Sequence, residues 1–361
     1  MNLRIPGPTP CPEEVLAAGA MQMMNHRGPE FAQILRRVTD GLNWVFGSTT
    51  DILSITTSGT GGLEAAVVNT LSPGDRVLSV SIGSFGDRLK SIAKTNSAED
   101  VSYALEWGEA ADPAVIGKML DEDGTIKAVL VTHNETSTGV TNPLEAIAKE
   151  VRARNRLIIV DAVSSMSSIP CPVERWDLDV VVSGSQKGWM VPPGLAFLYM
   201  SERAWQANAE AKMPRFYFDA ARTRDSLAKL QNPWTPAMSI YYAMDKAFEL
   251  IRAEGLEGVF TRHEAIANYT RQRVKGLGLS LVPVDESRAS NTVTAVWWPE
   301  GVDGKSISKR AREEFGIVLG GGQGKLEGKI FRVGHLGWVQ QHEVAEALDV
   351  VEQLLAEAKA G

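Results

Sequence analysis

The chain has 361 residues, 44% of them hydrophobic and 22% charged, with 33 Gly and 17 Pro. This excludes a disordered, collagen-like or fibrous protein and predicts a soluble globular chain of about two domains. Lys plus Arg number 37 and Asp plus Glu 44, a formal charge of −7 with the signs interspersed, so no basic stripe invites nucleic acid. Cys11 and Cys171 each lie between prolines. Without a CxxC or a histidine neighbour they predict free thiols in a reducing compartment, and no metal site. Met1–Pro8 lacks the apolar stretch of a signal peptide, and runs such as Leu157–Val160 are too short for a bilayer. Ala358–Gly361 carries no targeting address, so a cytoplasmic protein away from membranes is expected.

Residues 1–12 read as an N-terminal arm, and from Glu13 to Met200 helix and strand signals alternate. Pro29–Phe46 spaces Phe31, Ile34, Leu35, Val38, Leu42 and Val45 as a helix does, with proline in its first turn and Gly47 after its end. Short apolar runs predict strands at Ile52–Thr56, Arg76–Ile82, Ala128–Thr132, Leu157–Val160, Val180–Val182 and Leu195–Met200. Gly62–Leu71, Pro113–Leu120 and Leu144–Arg154 are predicted helices between them. The alternation predicts an α/β fold, a mostly parallel sheet sandwiched by helices.

After Pro236 the pattern changes. Helices are predicted at Ser239–Glu254 and Glu257–Lys275, then strands at Leu279–Val282 and Thr292–Trp298. A helix at Lys305–Glu314, a strand at Lys329–Val333 and a helix at His342–Ala358 follow. The expected division is a large domain over 13–250 and a smaller C-terminal α/β domain over 251–361. Gly320–Gly324 is predicted as a flexible loop, either a mobile gate or a plain surface turn.

Open parallel sheets bind ligands beyond the C-terminal ends of their strands, so the residues just after each apolar run are the candidates. Ser58-Gly59-Thr60-Gly61-Gly62 enters a helix and offers free N–H groups and hydroxyls to a phosphate, although it is neither a dinucleotide fingerprint nor a P-loop. Asp161 follows Leu157–Val160, where a buried carboxylate needs a cation; taken alone it better fits a helix N-cap or a structural ion pair. Lys187, in Ser183–Gly188, would project into the same crevice; taken alone it is a solvated loop lysine. Phe85, between Gly83 and Gly86, offers a planar face or simply core, and His133–Gly139 is dense in hydrogen-bonding groups. Arg332 interrupts an apolar strand, where it needs either a substrate carboxylate or a carboxylate of the protein.

Together, a phosphate cradle, a stacking ring, a strand-end carboxylate and a strand-end lysine are what pyridoxal phosphate requires. The lysine forms the Schiff base, the carboxylate keeps the pyridine nitrogen protonated so that the ring is an electron sink, and the arginine takes an α-carboxylate. The sequence resembles the class V, fold-type I pyridoxal-phosphate aminotransferases of the alanine/serine–glyoxylate branch over nearly its whole length. The matching runs are Pro6–Thr9, Asn25–Arg27, the Ser58 cradle, Ser183–Lys187, Asn291–Val296 and Phe331–Gly337, and His133–Asn142 is close to the serine–glyoxylate version.

The resemblance implies that Lys187 is the Schiff-base lysine, that Asp161 pairs with the pyridinium, and that Val163 and Phe85 pack on the two ring faces. Ser58, Gly59, Thr60 and Gln186 would hold the phosphate, Thr136 would bond near the phenolic oxygen, and Arg332 would bind the substrate carboxylate. It also implies a homodimer with shared active sites, Asn232 or Thr235 reaching across to the partner's cofactor. His26 stands at the substrate end, where relatives using serine can carry tyrosine, which leaves the donor open. The expected activity is ping-pong transamination of serine or alanine with glyoxylate. The alternatives are aspartate, phosphoserine or a ureido-amino acid as partner, pyruvate as acceptor, or a lyase of the cysteine desulfurase type, for which no late-loop cysteine exists. A non-catalytic nucleotide-binding module is the reading from another class, and the missing nucleotide fingerprints count against it.

Overall fold

The structure, a computed structural model, describes residues 1–360. Seven strands form the main sheet in the order Leu53–Thr56, Leu195–Met200, Val180–Gly184, Leu157–Asp161, Ile126–Thr132, Arg76–Ser81 and Glu99–Ala104. All pairings are parallel except those of Leu195–Met200, which runs antiparallel to both neighbours. Leu157–Asp161 and Val180–Gly184 are buried along their whole length because helices cover both faces of the sheet, which is why they read as unbroken apolar runs. Glu99–Ala104 is an edge strand with charged and half-exposed positions, so hydrophobic patterning did not mark it.

Pro29–Phe46 is helical, buries Phe31, Leu35, Val38 and Leu42, and stops at Gly47, whose φ of +64° is a left-handed C-cap. The helix after the first sheet strand begins earlier than predicted: it spans Gly59–Thr70, so Gly59 and Thr60 lie in its first turn.

Four strands make a second sheet, ordered Asn2–Arg4, Ile317–Gly321, Ile330–Gly334 and Val293–Trp297. The N-terminal residues therefore do not hang as an arm; Asn2–Arg4 pairs in parallel with Ile317–Leu319. Gly320 and Gly321 likewise belong to a strand paired with Ile330–Gly334, and Gly324–Leu326 forms a 3-10 turn, so the glycine-rich stretch is not a free loop. Leu279–Val282 is not a strand and makes only a single bridge, Leu281 to Val296. Around this sheet Ile266, Val274, Phe331, Val344, Leu348 and Leu354 form a core separate from the larger one beneath the main sheet.

Candidate active site

Parallel strands that end on one side deliver their following residues to one rim, and the structure brings most of the predicted residues there. Lys187 follows Val180–Gly184, and its Nζ donates to the Pro6 carbonyl at 2.6 Å. Burial lowers the lysine's pKa to about 8; Asp161 pulls it upward, while Arg332 and Arg88 push it further down. Asp161 ends its strand 4% exposed and accepts the Val163 N–H at 2.9 Å. Burial raises its carboxyl to about 6, against the Val163 bond, and Glu135 adds to the rise while Lys187 and Arg88 oppose it.

At the other end of the crevice, Ser58 occupies the N-cap position of Gly59–Thr70 but makes no side-chain capping bond, which leaves its hydroxyl free for an anion. Ser58 and Thr60 are exposed, and Gly59 is buried against Val163: a Cβ there would stand 2.7 Å from Val163 Cγ2. The Gln186 Oε1 atom is buried without a partner, and it and the Gly59 N–H both crowd the side-chain-free Cα of Gly184. An amide presents either its oxygen or, turned over, its NH₂, so Gln186 suits a phosphate oxygen beside that N–H. These orphaned and uncapped groups suit an anionic group such as the phosphate of pyridoxal phosphate, which Ser58, Gly59, Thr60 and Gln186 would hold, and the buried Asp161 carboxylate would suit a cationic ring nitrogen.

Phe85 lies in the first turn of a helix, Ser84–Thr95, that the sequence did not reveal. The Arg88 guanidinium stacks over its ring at 4.7 Å from the centroid. The helix start is held by a group that sequence reading missed, the fully buried Glu135. Its Oε2 accepts from the Phe85 and Gly86 N–H groups at 3.0 Å each, and Ser137 Oγ accepts from Ser84 N–H at 2.9 Å. Burial raises the Glu135 pKa, and hydrogen bonds from the Ser137 hydroxyl and from the Gly86, Ser137 and Phe85 N–H groups lower it. A carboxylate is suited to this place because a helix N-terminus presents free donors and positive dipole. Glu135→Ala should lower the unfolding free energy by about 3 kcal/mol, as buried donors lose a charged acceptor, and an unchanged urea midpoint would remove Glu135 from this role. The one available signal was a carboxylate inside the polar run His133–Gly139.

Arg332 lies in the strand Ile330–Gly334, 5% exposed. Its Nε donates to the Gly321 carbonyl at 2.8 Å and its Nη1 to the Thr136 carbonyl at 2.9 Å. Burial lowers its pKa to about 10, with Glu135 acting the other way. Carbonyls orient a guanidinium but do not neutralise it, so this fork is set for an anion. Thr136 thus touches the arginine through its backbone.

The structure does not join His26, Asn232 and Thr235 to Lys187, Asp161 or Arg332 by hydrogen bonds. Arg27 Nη1 donates to Gln231 Oε1 at 2.9 Å, which ties the His26 loop to the Asn232–Pro236 loop. Asn232 Nδ2 donates to the Tyr241 hydroxyl at 2.9 Å, and Thr235 is exposed. Among the described residues, no three His, Cys, Asp or Glu side chains gather as a metal site would, and no helix is long and apolar enough to cross a membrane.

The family model described as aminotransferase class V matches residues 3–327. The chain belongs to the class V aminotransferase family. It is 43% identical over 358 residues to a chain named soluble hydrogenase, small subunit, from a Synechococcus, covering 98% of this chain and 93% of that one. It is 36% identical to the L-aspartate–glyoxylate aminotransferase of Paracoccus denitrificans, covering 98% of this chain and 90% of the relative. At 35% identity and the same shares it matches the serine–glyoxylate aminotransferase of Methylorubrum extorquens. Among solved structures, the pyridoxamine–pyruvate aminotransferase of Mesorhizobium loti superposes with a TM-score of 0.94 at 31% identity, over 99% of this chain and 93% of that one. Likeness of this extent places the mostly parallel sheet and its rim within the fold of class V aminotransferases.

Proposed function

We propose that this class V aminotransferase moves the amino group of a small amino acid, serine or alanine, to glyoxylate, giving glycine and a 2-oxo acid. The observation that carries the reading is the buried Arg332 fork, oriented by two carbonyls and open to a carboxylate, in the electrostatic reach of Lys187. Pyridoxal phosphate, when bound, supplies an aromatic system that absorbs the charge left on the donor's Cα. Lys187 would hold that cofactor through Nζ and, once freed by the donor, take the Cα proton there; a pKa lowered to about 8 makes the amine available near neutral pH. Asp161 would hold the proton on the ring nitrogen, Phe85 and Val163 would keep the ring flat between them, and Arg332 would fix the carboxylates of donor and acceptor.

Donor choice is decided by a panel of serine, alanine and aspartate against glyoxylate and pyruvate. Turnover of serine or alanine with glyoxylate is expected. Use of aspartate alone, or of pyruvate alone, would overturn the narrow reading and leave transamination. A desulfurase-type reaction is not favoured: burial pushes the Cys171 thiol up to about 12 and the half-buried Cys11 thiol to about 11, so neither is held as a thiolate.

The same reading assigns Asn232 or Thr235 to the site of a second copy and leaves His26 at the substrate end. The tied loops that carry them lie with exposed apolar side chains, Met21 and Met23 at 48% and 53% and Phe216 at 66%, the last stacked on Trp234. Sedimentation should give two chains per particle, and an active monomer would end the assignment.

A further inference from the structure

We propose that the segment Ile5–Thr9 is a strap that positions Lys187, its Pro6 carbonyl accepting from Nζ and the bare Cα of Gly7 leaving the space in which the end of the lysine lies. The inference rests on Lys187 being the reacting amine and concerns that amine when it is free.

The strap is anchored at both ends. Upstream, Asn2–Arg4 is paired with Ile317–Leu319 of the small sheet. Downstream, the Thr9 N–H donates to the Gln186 carbonyl at 3.1 Å and Thr9 Oγ1 to the Lys187 carbonyl at 3.0 Å. In between, Pro6 Cδ lies 3.0 Å from where a Cβ on Gly320 would stand, and the Ile5 carbonyl fills the space a side chain on Gly334 would need. The segment therefore threads between the lysine loop and the two strands that hold the Arg332 fork. At its midpoint nothing larger than hydrogen fits: a Cβ on Gly7 would meet Lys187 Nζ, Cδ and Cε at 2.5, 2.7 and 2.8 Å. The Gly7 φ of +125° is also one that L side chains rarely adopt.

A carbonyl accepts only from a donor, and it stabilises an ammonium more than an amine. The other charged groups acting on Nζ are Asp161, which favours the ammonium, and Arg332 and Arg88, which disfavour it. Taking the Pro6 carbonyl away should leave the ammonium with one favourable partner fewer and enlarge the neutral fraction. Pro6 and Gly7 are thus positioning residues, acting through the lysine.

The test uses the cofactor-free full-length protein and cyanate, with carbamylation of Lys187 followed by peptide mass mapping across pH. Gly7→Ala should label at least about threefold faster at pH 7, with its midpoint lower by about half a unit, because the clash dislodges Nζ from Pro6. Thr9→Val, which loosens the strap without a clash, should label about twofold faster. Gly74→Ala is the control for backbone strain: Gly74 has a φ of +84° and nothing within 4 Å of a Cβ, so it should label as the wild type does. Wild-type labelling rate and midpoint in Gly7→Ala would overturn the proposal; if that variant does not fold, a wild-type rate in Thr9→Val does so. Cyanate reads the amine whether or not the protein transaminates, whereas a wild type that takes up no visible band from pyridoxal phosphate would overturn the functional reading alone.

Discussion

Replacing Lys187 with alanine should reduce turnover by at least about 10⁴-fold, since in the proposed reading one group would both hold the cofactor and carry the proton. Folding should survive the change, because the lysine is half-buried in the crevice and makes one side-chain hydrogen bond, to Pro6. Borohydride reduction of the wild type after loading with pyridoxal phosphate should leave a pyridoxyl group on the Lys187 peptide, found by mass mapping. The alanine variant should carry none. An adduct on another lysine, or activity within tenfold of wild type, would move the chemistry elsewhere. The same lysine gives a pH expectation. In the cofactor-free protein its amine should titrate near 8 rather than 10.5, so labelling by an amine reagent at pH 8 should far outpace that of exposed lysines.

Asp161→Asn should cost about 10²–10³-fold in turnover and weaken cofactor retention, the loss expected when a buried charge loses its partner, worth about 3–5 kcal/mol. A kcat within threefold of wild type would take Asp161 out of the ring-nitrogen role. A second measurement reads the carboxylate without turnover. In the cofactor-free protein burial raises Asp161 from 3.8 to about 6, so the folded chain binds this proton more tightly than the unfolded chain does. Its contribution to stability is therefore complete below pH 3.8 and is lost as pH rises through about 6, by at most about 3 kcal/mol. The melting temperature of wild type should fall relative to Asp161→Asn between pH 4 and pH 7. A rise over that interval would mean a cation already neutralises the carboxylate. Loading the cofactor should flatten the wild-type profile, because a protonated ring nitrogen supplies the missing positive charge.

Much of the rim was legible because buried parallel strands announce themselves. Leu157–Asp161 and Val180–Gly184 are covered on both faces, so their apolar runs end where the chain meets the crevice, and Asp161 and Lys187 stand out just there. Arg332 was legible for the same reason, as a cation inside the strand Ile330–Gly334. The helix Ser84–Thr95 was not: it opens after Gly83 with no capping side chain of its own, and its donors are satisfied by Glu135 and Ser137, about fifty residues away in the chain. A non-local cap leaves no local signature. Three residues carry no period, so Asn2–Arg4 has no strand signature of its own; only the pairing with Ile317–Leu319 makes them a strand. The run Leu279–Val282 misled in the opposite direction: its apolar side chains pack against the small sheet, but its backbone meets the strand Val293–Trp297 at a single bridge only. His26, Asn232 and Thr235 came from the family resemblance, and they make no hydrogen bond to Lys187, Asp161 or Arg332 of their own chain.

The pairing of Asn2–Arg4 with Ile317–Leu319 reaches beyond the finished molecule. A ribosome makes the first of these segments more than three hundred residues before the second, so the N-terminal strand has no edge to join during most of synthesis. The main sheet, complete by Met200, is able to assemble on the nascent chain with its lysine loop still uncovered. Closure over that loop must be among the last events of biogenesis, and in pulse-labelled chains stalled before residue 317, where the strap is not yet anchored, cyanate should label Lys187 faster than it does in the released protein.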